Sequence, residues 1–412
     1  MASPGKPHCD TLDLIRALAA GAVCVSHLRN LMFVDYRSSV SIGLAGKAFY
    51  FVSNYGHTAV IVFFLLSGYF VGGSVLRQLD AGTWSWQRYL TERLSRLWIV
   101  LVPALLLTLF WDRLGLELAG GPFYLGTEGT FDQQINVASH LGAATLACNL
   151  VFLQKLSCGT YGSNGPLWSL ANEFWYYLWF PACAVLVRRR RGLGAFAMAA
   201  FALGTMIAFP SLLSGFGLWL LGVVLAVLEK RVPAHSARSG LPWLTLASGA
   251  AFLAALVCTR FFLLDNDWIV GVPCFVFLRY VLRENVRLRP AGLSRVAILF
   301  SGFSYSLYLT HFSFILFVAA VCSCSGFRAA YSVRCRWRPG ARGHAGRLLC
   351  VRFRGLSAVR AEHAARTAGD PAAAVRAYRR RRTSGARRPG RHHELIRAIP
   401  MASPCTAEWG NP

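Results

Sequence analysis

Apolar runs near the length of one bilayer crossing recur along the first three quarters of the chain and then stop. They fall near residues 12–30, 57–76, 97–115, 168–187, 193–209, 211–228, 242–260, 268–284 and 296–320. Each approaches the roughly 20 apolar residues that span hydrocarbon as a helix. The pattern predicts an all-α, polytopic integral membrane bundle of about nine to ten transmembrane helices. One further apolar stretch, "HLGAATLACNLVFLQ" (140–154), competes for a tenth crossing. As a helix it would be only about 22 Å long. If it crossed, the following "RRRR" (188–191) would lie opposite the other basic loops. It is expected to be a re-entrant or interfacial helix on the outer side.

Loop charge sets the orientation. The segments "RQLDAGTWSWQRYLTERLSR" (77–96), "RRRR" (188–191), "EKR" (229–231) and "RENVRLR" (283–289) are basic, whereas loops around 31–56, 116–140 and 261–267 are poorer in Lys and Arg. Basic loops stay cytoplasmic, so the chain is expected in the cell membrane, multi-pass, with its N-terminus in the cytoplasm. Lys6 and Arg16 before a short apolar stretch imitate a signal peptide. The many later spans argue against cleavage.

Composition agrees with this reading. Hydrophobic residues make up 55% of the 412 and charged residues only 15%, against about 25% charged in soluble domains. The net charge of +25 would ordinarily suggest nucleic acid, but its distribution does not: residues 322–412 hold 19 Arg, no Lys and four acidic residues. No basic groove interleaved with aromatics accompanies it, so the charged partner expected is membrane lipid, not nucleic acid. Two regions result, a membrane-embedded domain over 1–321 and an Arg-rich tail over 322–412. The tail's charge and Gly/Pro content fit a disordered basic tail. Its abrupt start and lack of Lys favour a frameshifted ending of a GC-rich coding sequence. Twelve cysteines are scattered, several inside apolar runs (Cys24, Cys148, Cys183), without CxxC or His/Cys ligand spacing. They read as small apolar residues, and neither a metal site nor a disulfide framework is expected.

Against this background a few polar groups inside the spans stand out. "LDLIRALAAGAVCVSH" (12–27) carries Asp13, Arg16 and His27. A charge deep in a bilayer costs roughly 2.5–3.5 kcal/mol on insertion scales. Arg16 and His27 are 11 residues apart, which returns to within about 20° of one helix face, with His27 about 16 Å further out. Asp13 can pair with Arg16 at i, i+3. Intramembrane ionisable groups face the bundle interior or a watery cavity. Taken singly, snorkelling explains Arg16 and an interfacial position explains His27. Both on one face is harder to explain that way. In "TERLSRLW", Arg93 and Arg96 share a face at i, i+3 and suit either lipid headgroups or a phosphate-bearing ligand gripped bidentately. "GTYGSNGPLWSLANEFWYYLWFP" (159–181) places Glu173 among Trp and Tyr residues. An aromatic belt accounts for Trp168, Trp175 and Tyr176 but not for a carboxylate. "FSGFSYSLYLTHFSFIL" (300–316) places His311 in the outer half of the last span. The expectation is an outer layer of His27, Glu173 and His311 and an inner layer of Arg16, Arg93 and Arg96.

Four segments in order, "LDLIRALAAGAVCVSH", "AVIVFFLLSGYFV" followed by "TERLSRLW", "GPLWSLANEFWYYLWFP" and "SYSLYLTH", resemble the successive signatures of acyltransferase family 3. These are integral-membrane O-acyltransferases of surface polysaccharides, lipopolysaccharide and some secreted metabolites. The resemblance covers residues 12–316 and implies that Arg16 and His27 match the family's functional Arg and His of the first helix, and Arg93 and Arg96 its RxxR pair. It implies acyl-CoA, most often acetyl-CoA, as donor co-substrate with no resident cofactor, and a carbohydrate or other hydroxyl as acceptor. On that reading His27 is a general base, Glu173 its partner or a sugar-holding group, and Asp13, Trp168 and His311 structural or acceptor-side residues. The chain departs from the family after about residue 320, where a last helix should follow. The rival readings are a multi-pass transporter or flippase, whose proton relays also use intramembrane His, Arg and Glu, and a membrane sensor. No internal repeat of the transporter kind is visible.

Overall fold

A computed structural model describes residues 10–33, 36, 43–119, 122–125, 136–189, 192–230, 243–262, 266–284, 286 and 291–324. The Arg-rich tail beyond residue 324, with both readings of it, lies outside the described residues. Thirteen helices are described: α1 (Asp10–Met32), α2 (Leu44–Val52), α3 (Gly56–Ser67), α4 (Gly73–Asp80), α5 (Trp86–Leu118), α6 (Pro122–Leu125), α7 (Ala143–Leu150), α8 (Leu167–Arg189), α9 (Leu193–Ala208), α10 (Leu213–Lys230), α11 (Trp243–Phe261), α12 (Trp268–Arg283) and α13 (Ala291–Cys324). No strand occurs among the described residues. The nine expected runs are all helical. Among the described residues six helical segments, Asp10–Met32, Leu44–Asp80, Trp86–Leu118, Pro210–Lys230, Trp243–Phe261 and Gly292–Cys322, are long and apolar enough to cross a membrane. α8 falls outside that set, and α9 and α12 have only 16 residues each.

Side-chain contacts tie the helix ends together in two separate sets. At one end, Asp80 after α4 pairs with Lys230 at 2.5 Å and with Arg188. Thr11 donates to the Val286 carbonyl at 2.6 Å, and Ser294 donates to Asp10. The 77–80, 188, 230 and 286 segments are thereby tied to neighbours on the basic-loop side. At the other end, Asn54 accepts from Arg29 at 3.1 Å and its carbonyl accepts from Arg260, while His57 meets Asp267 at 2.8 Å.

Inside the bundle α3 crosses α10 with backbone in contact. A Cβ on Gly68 would lie 1.9 Å from the Trp219 carbonyl oxygen, and one on Gly222 would lie 2.0 Å from that of Leu65. Only glycine permits this approach, and small residues are how helices draw together in lipid. The same glycine opens a π-turn, Gly68–Gly72, between α3 and α4. Such widened turns shift the side-chain register and are frequent at functional sites.

The 140–154 stretch forms no helix long enough to cross. α7 is only eight residues long, and the chain returns beside it. Gly162 N–H donates to His140 O at 3.1 Å, and Asn149 accepts from Tyr161 N–H at 3.1 Å while donating to Gly159 O at 3.0 Å. Along α5 this re-entrant segment reaches from Asp112, which holds Ser163, to Trp98, whose Nε1 donates to Leu150 O at 3.0 Å. That is a depth of about 20 Å at 1.5 Å per residue. Irregular backbone at membrane depth is tolerated only where protein or a water-filled cavity surrounds it. Accordingly Phe152, Gln154 and Thr160–Asn164 are buried. Phe152 stacks on Phe174 at 4.4 Å, and Gln154 donates to Leu167 O at 2.8 Å. One expectation is corrected here: Cys148 is no mere apolar residue but forms a disulfide with Cys158. The fold brings the ten-residue hairpin's ends together, a proximity that spacing alone did not reveal.

Candidate functional site

α1 and α13 pack side by side and run in the same direction, with matching polar stripes. Near their beginnings Ser301 donates to Asp13 Oδ1 at 2.8 Å and accepts from Arg16 Nη1 at 3.5 Å. Asp13 and Arg16 are therefore bridged by a serine of the partner helix, where sequence spacing suggested a direct pair. Farther along both helices His27 faces His311, with ring centroids 5.3 Å apart and planes inclined by 38°. The Phe312 ring meets His27 edge-on at 5.0 Å. The two sites on α1 are separated by three turns of helix, about 16 Å.

Three guanidiniums gather on the basic side. Arg16 lies over the Phe70 ring at 5.0 Å and within electrostatic reach of Arg96. Arg93 lies over Tyr89 at 5.6 Å, and Tyr89 in turn donates to the Tyr177 carbonyl at 3.0 Å. Among the described residues no carboxylate comes within ion-pair distance of Arg16, Arg93 or Arg96. By contrast, Arg88 on the same helix pairs with Glu92 at 3.1 Å. Like charges held together with no carboxylate at ion-pair distance favour an anionic ligand, and the arginine fork matches phosphate geometry.

Glu173 does not belong to the outer layer in which sequence spacing placed it. Ser67 donates to its Oε1 at 2.8 Å and Tyr177 at 2.5 Å, while Trp219 Nε1 donates to Ser67 at 3.1 Å. Glu173 is within electrostatic reach of Arg16, on the arginine side of the bundle. The reason lies in how α8 begins. The "SNGPL" turn is sunk into the protein, with Asn164 and Leu167 fully buried. A count of turns from a start at the membrane surface therefore stops short of the true depth.

Trp168 lies at the His57 end of the bundle and packs against neighbouring rings. It stacks on His57 at 6.2 Å and meets Phe64 edge-on, inside the packing of α3 against α8. His311 is buried, and its Nδ1 donates to the Leu307 carbonyl at 3.0 Å. Around it the "SNGPLWS" segment grips α13. Asn164 donates to Leu309 O at 2.8 Å, Ser163 meets Ser313 at 3.0 Å, and Ser169 meets Tyr308 at 2.7 Å. Sequence reasoning did not single out Ser301, Tyr177 or Tyr308. For the first and last a signal existed in the polar spacing Ser301, Tyr308, His311 along one helix.

With that geometry in place, comparison with known proteins is informative. A family model described as an acyltransferase domain (acyltransferase family 3) matches residues 10–323. The match ends where the Arg-rich text begins. Nodulation protein 10 of Rhizobium leguminosarum bv. viciae is 25% identical over 324 residues, covering 74% of this chain and 82% of that protein. Acyltransferase MdmB of Streptomyces mycarofaciens is 28% identical over 181 residues, covering 43% of this chain and 40% of that protein. No solved structure matches significantly.

Proposed function

This chain belongs to acyltransferase family 3, whose model spans residues 10–323, and we propose that it moves an acyl group, most often acetyl, from cytoplasmic acyl-CoA to a hydroxyl of an extracytoplasmic carbohydrate or similar acceptor. The observation that carries this reading is the pairing of two sites on α1. Three guanidiniums, none at ion-pair distance from a carboxylate among the described residues, lie at one level and two facing imidazoles about 16 Å away along the same helix. That separation suits a donor whose phosphates and reactive thioester lie far apart. In this reading the N-terminus and the basic loops face the cytoplasm. The CoA phosphates meet Arg93, Arg96 and Arg16, and the pantetheine arm passes between α1, α8 and α13 toward His27.

At His27 the chemistry is direct transfer. The acceptor hydroxyl gives its proton to a neutral His27 as its oxygen attacks the thioester carbonyl. The C–S bond breaks, and the departing CoA thiolate takes that proton from the imidazolium to leave as the thiol. Trp168 and the residues around it stand on the acceptor side. Asp13 holds Arg16 through Ser301 and shapes the donor mouth.

The test uses membrane vesicles turned inside out, with the acceptor glycan enclosed in the lumen and radioactive acetyl-CoA supplied outside. Label is expected in the glycan, and His27→Ala should reduce the transfer by about 10²–10⁴ while CoA binding persists. Near-normal transfer by His27→Ala would remove the base from this site. Movement of unmodified solute without label transfer would favour the transporter reading instead.

A further inference from the structure

His311 carries an unusual combination of constraints. Its Nδ1 lies 3.0 Å from the Leu307 carbonyl. A carbonyl only accepts, so Nδ1 bears the hydrogen and Nε2 is left with a lone pair. That Nε2 is buried and has no hydrogen-bond partner among the described residues. An unmet buried acceptor costs about 1–3 kcal/mol, and native structures keep few of them without a use. The ring faces His27 with centroids 5.3 Å apart. The planes are inclined by 38°, and at that spacing a nitrogen of one ring reaches a nitrogen of the other at hydrogen-bond distance once a rotation of His27 points the two at each other. The register of α13 here is braced on either side, by Asn164 on Leu309 O and by Ser163 on Ser313.

We propose that His311 is the positioning residue for His27: its Nε2 accepts a hydrogen bond from one ring N–H of His27, which turns the other ring nitrogen, free of hydrogen, toward the acceptor hydroxyl. When that nitrogen takes the hydroxyl proton, His27 becomes an imidazolium whose second N–H is already held by His311. The proton then leaves with the CoA thiolate, and His311 gains and loses none. The role matches what a carboxylate does behind the histidine of a catalytic triad, here with a neutral group. A neutral orienter suits an apolar surrounding, where a buried carboxylate would be costly.

This inference rests on His27 being the base, and the experiment separates the two. His311→Gln places an amide oxygen where Nε2 stands but forfeits the Leu307 bond. His311→Asn keeps a donor for Leu307 and leaves the Nε2 position empty. In the vesicle assay His311→Gln is expected to retain kcat within a few-fold, and His311→Asn to lose about 100-fold in kcat at unchanged KM for acetyl-CoA. If Asn is active and Gln dead, the Leu307 bond is the role and the proposal falls. Equal activity in both variants also overturns it, and so does loss in both at normal folded amounts, which would require a titrating group at 311. Activity of His27→Ala would instead sink the base itself. A second measurement needs no variant: with 15N-histidine in the wild-type protein, His311 should be the Nδ1–H tautomer, coupled across a hydrogen bond to His27. An Nε2–H tautomer overturns the proposal.

Discussion

Asp112 and Ser163 are joined twice: the Asp112 carboxylate accepts from the Ser163 backbone N–H at 2.7 Å and from its hydroxyl at 2.6 Å. Both residues are buried, Asp112 completely. The pair fastens the re-entrant segment to α5 just before the turn that brackets His311. Asp112→Ala would strand the Ser163 N–H and leave its hydroxyl only Ser313, at about 1–3 kcal/mol for the group left unmet. The expected result is a lower unfolding temperature in detergent and reduced acyl transfer. Asp112→Asn, which keeps an accepting oxygen, should lose less. An Ala variant as stable as the parent would mean that the segment is held elsewhere.

The disulfide supplies a second prediction, about sidedness. Cys148 and Cys158 are joined in a segment assigned to the outer face, and such bonds persist in oxidising compartments. Protein made in cells and then unfolded in denaturing detergent should therefore resist thiol alkylation at these two positions until it is reduced, while Cys183 and Cys258, which are free thiols, react directly. Closing a loop of this size contributes about 2–3 kcal/mol in the chain-entropy account, so reduction should lower stability. Free thiols at 148 and 158 in freshly isolated protein would place the segment on the reducing side and invert the topology.

The two histidines and the arginines were legible because they violate the hydrophobic pattern, and a violation inside a span stands out in one dimension. All nine helical runs were legible for the complementary reason, their length and apolarity. Helix ends were less so: α5 extends from Trp86 to Leu118, well past the apolar stretch 97–115, because its first turns are polar and start from the capping Ser85. Glu173 was misplaced because its depth depends on how far the "SNGPL" turn is sunk, which is a tertiary fact. Cys148 and Cys158 were missed for a similar reason, as was the bridging Ser301, which lies 288 residues from Asp13 in the chain.

Arg93 and Arg96 give a third prediction. Replacing both with Ala should weaken binding of CoA and make the remaining affinity less dependent on salt, since charge-assisted contacts to phosphate are screened by ions. Lys at both positions should restore only part of the affinity, because an ammonium lacks the planar fork. Isothermal titration with CoA and with dephospho-CoA measures both effects. A double Ala variant that binds CoA as the parent does would reduce these residues to lipid anchors.

Glu173 allows the sharpest separation between the layer expected from spacing and the layer observed. As a partner of His27 its charge would strengthen the base, and Glu173→Gln would lower transfer by about 10² or more. As a neighbour of Arg16 its charge instead opposes binding of an anionic donor. Glu173→Gln keeps an oxygen to accept from Ser67 and Tyr177 but removes that opposing charge. Two charges a few ångströms apart interact by about 1–4 kcal/mol between the bulk-water limit and a partly buried site, so CoA affinity should rise a few-fold or more at low salt. The gain should shrink as salt is added. Glu173→Ala, which drops the hydrogen bonds as well, should lose stability through the stranded Tyr177 and Ser67 hydroxyls. Weaker CoA binding by the Gln variant, with transfer falling in step with His27→Ala, would return Glu173 to the outer site.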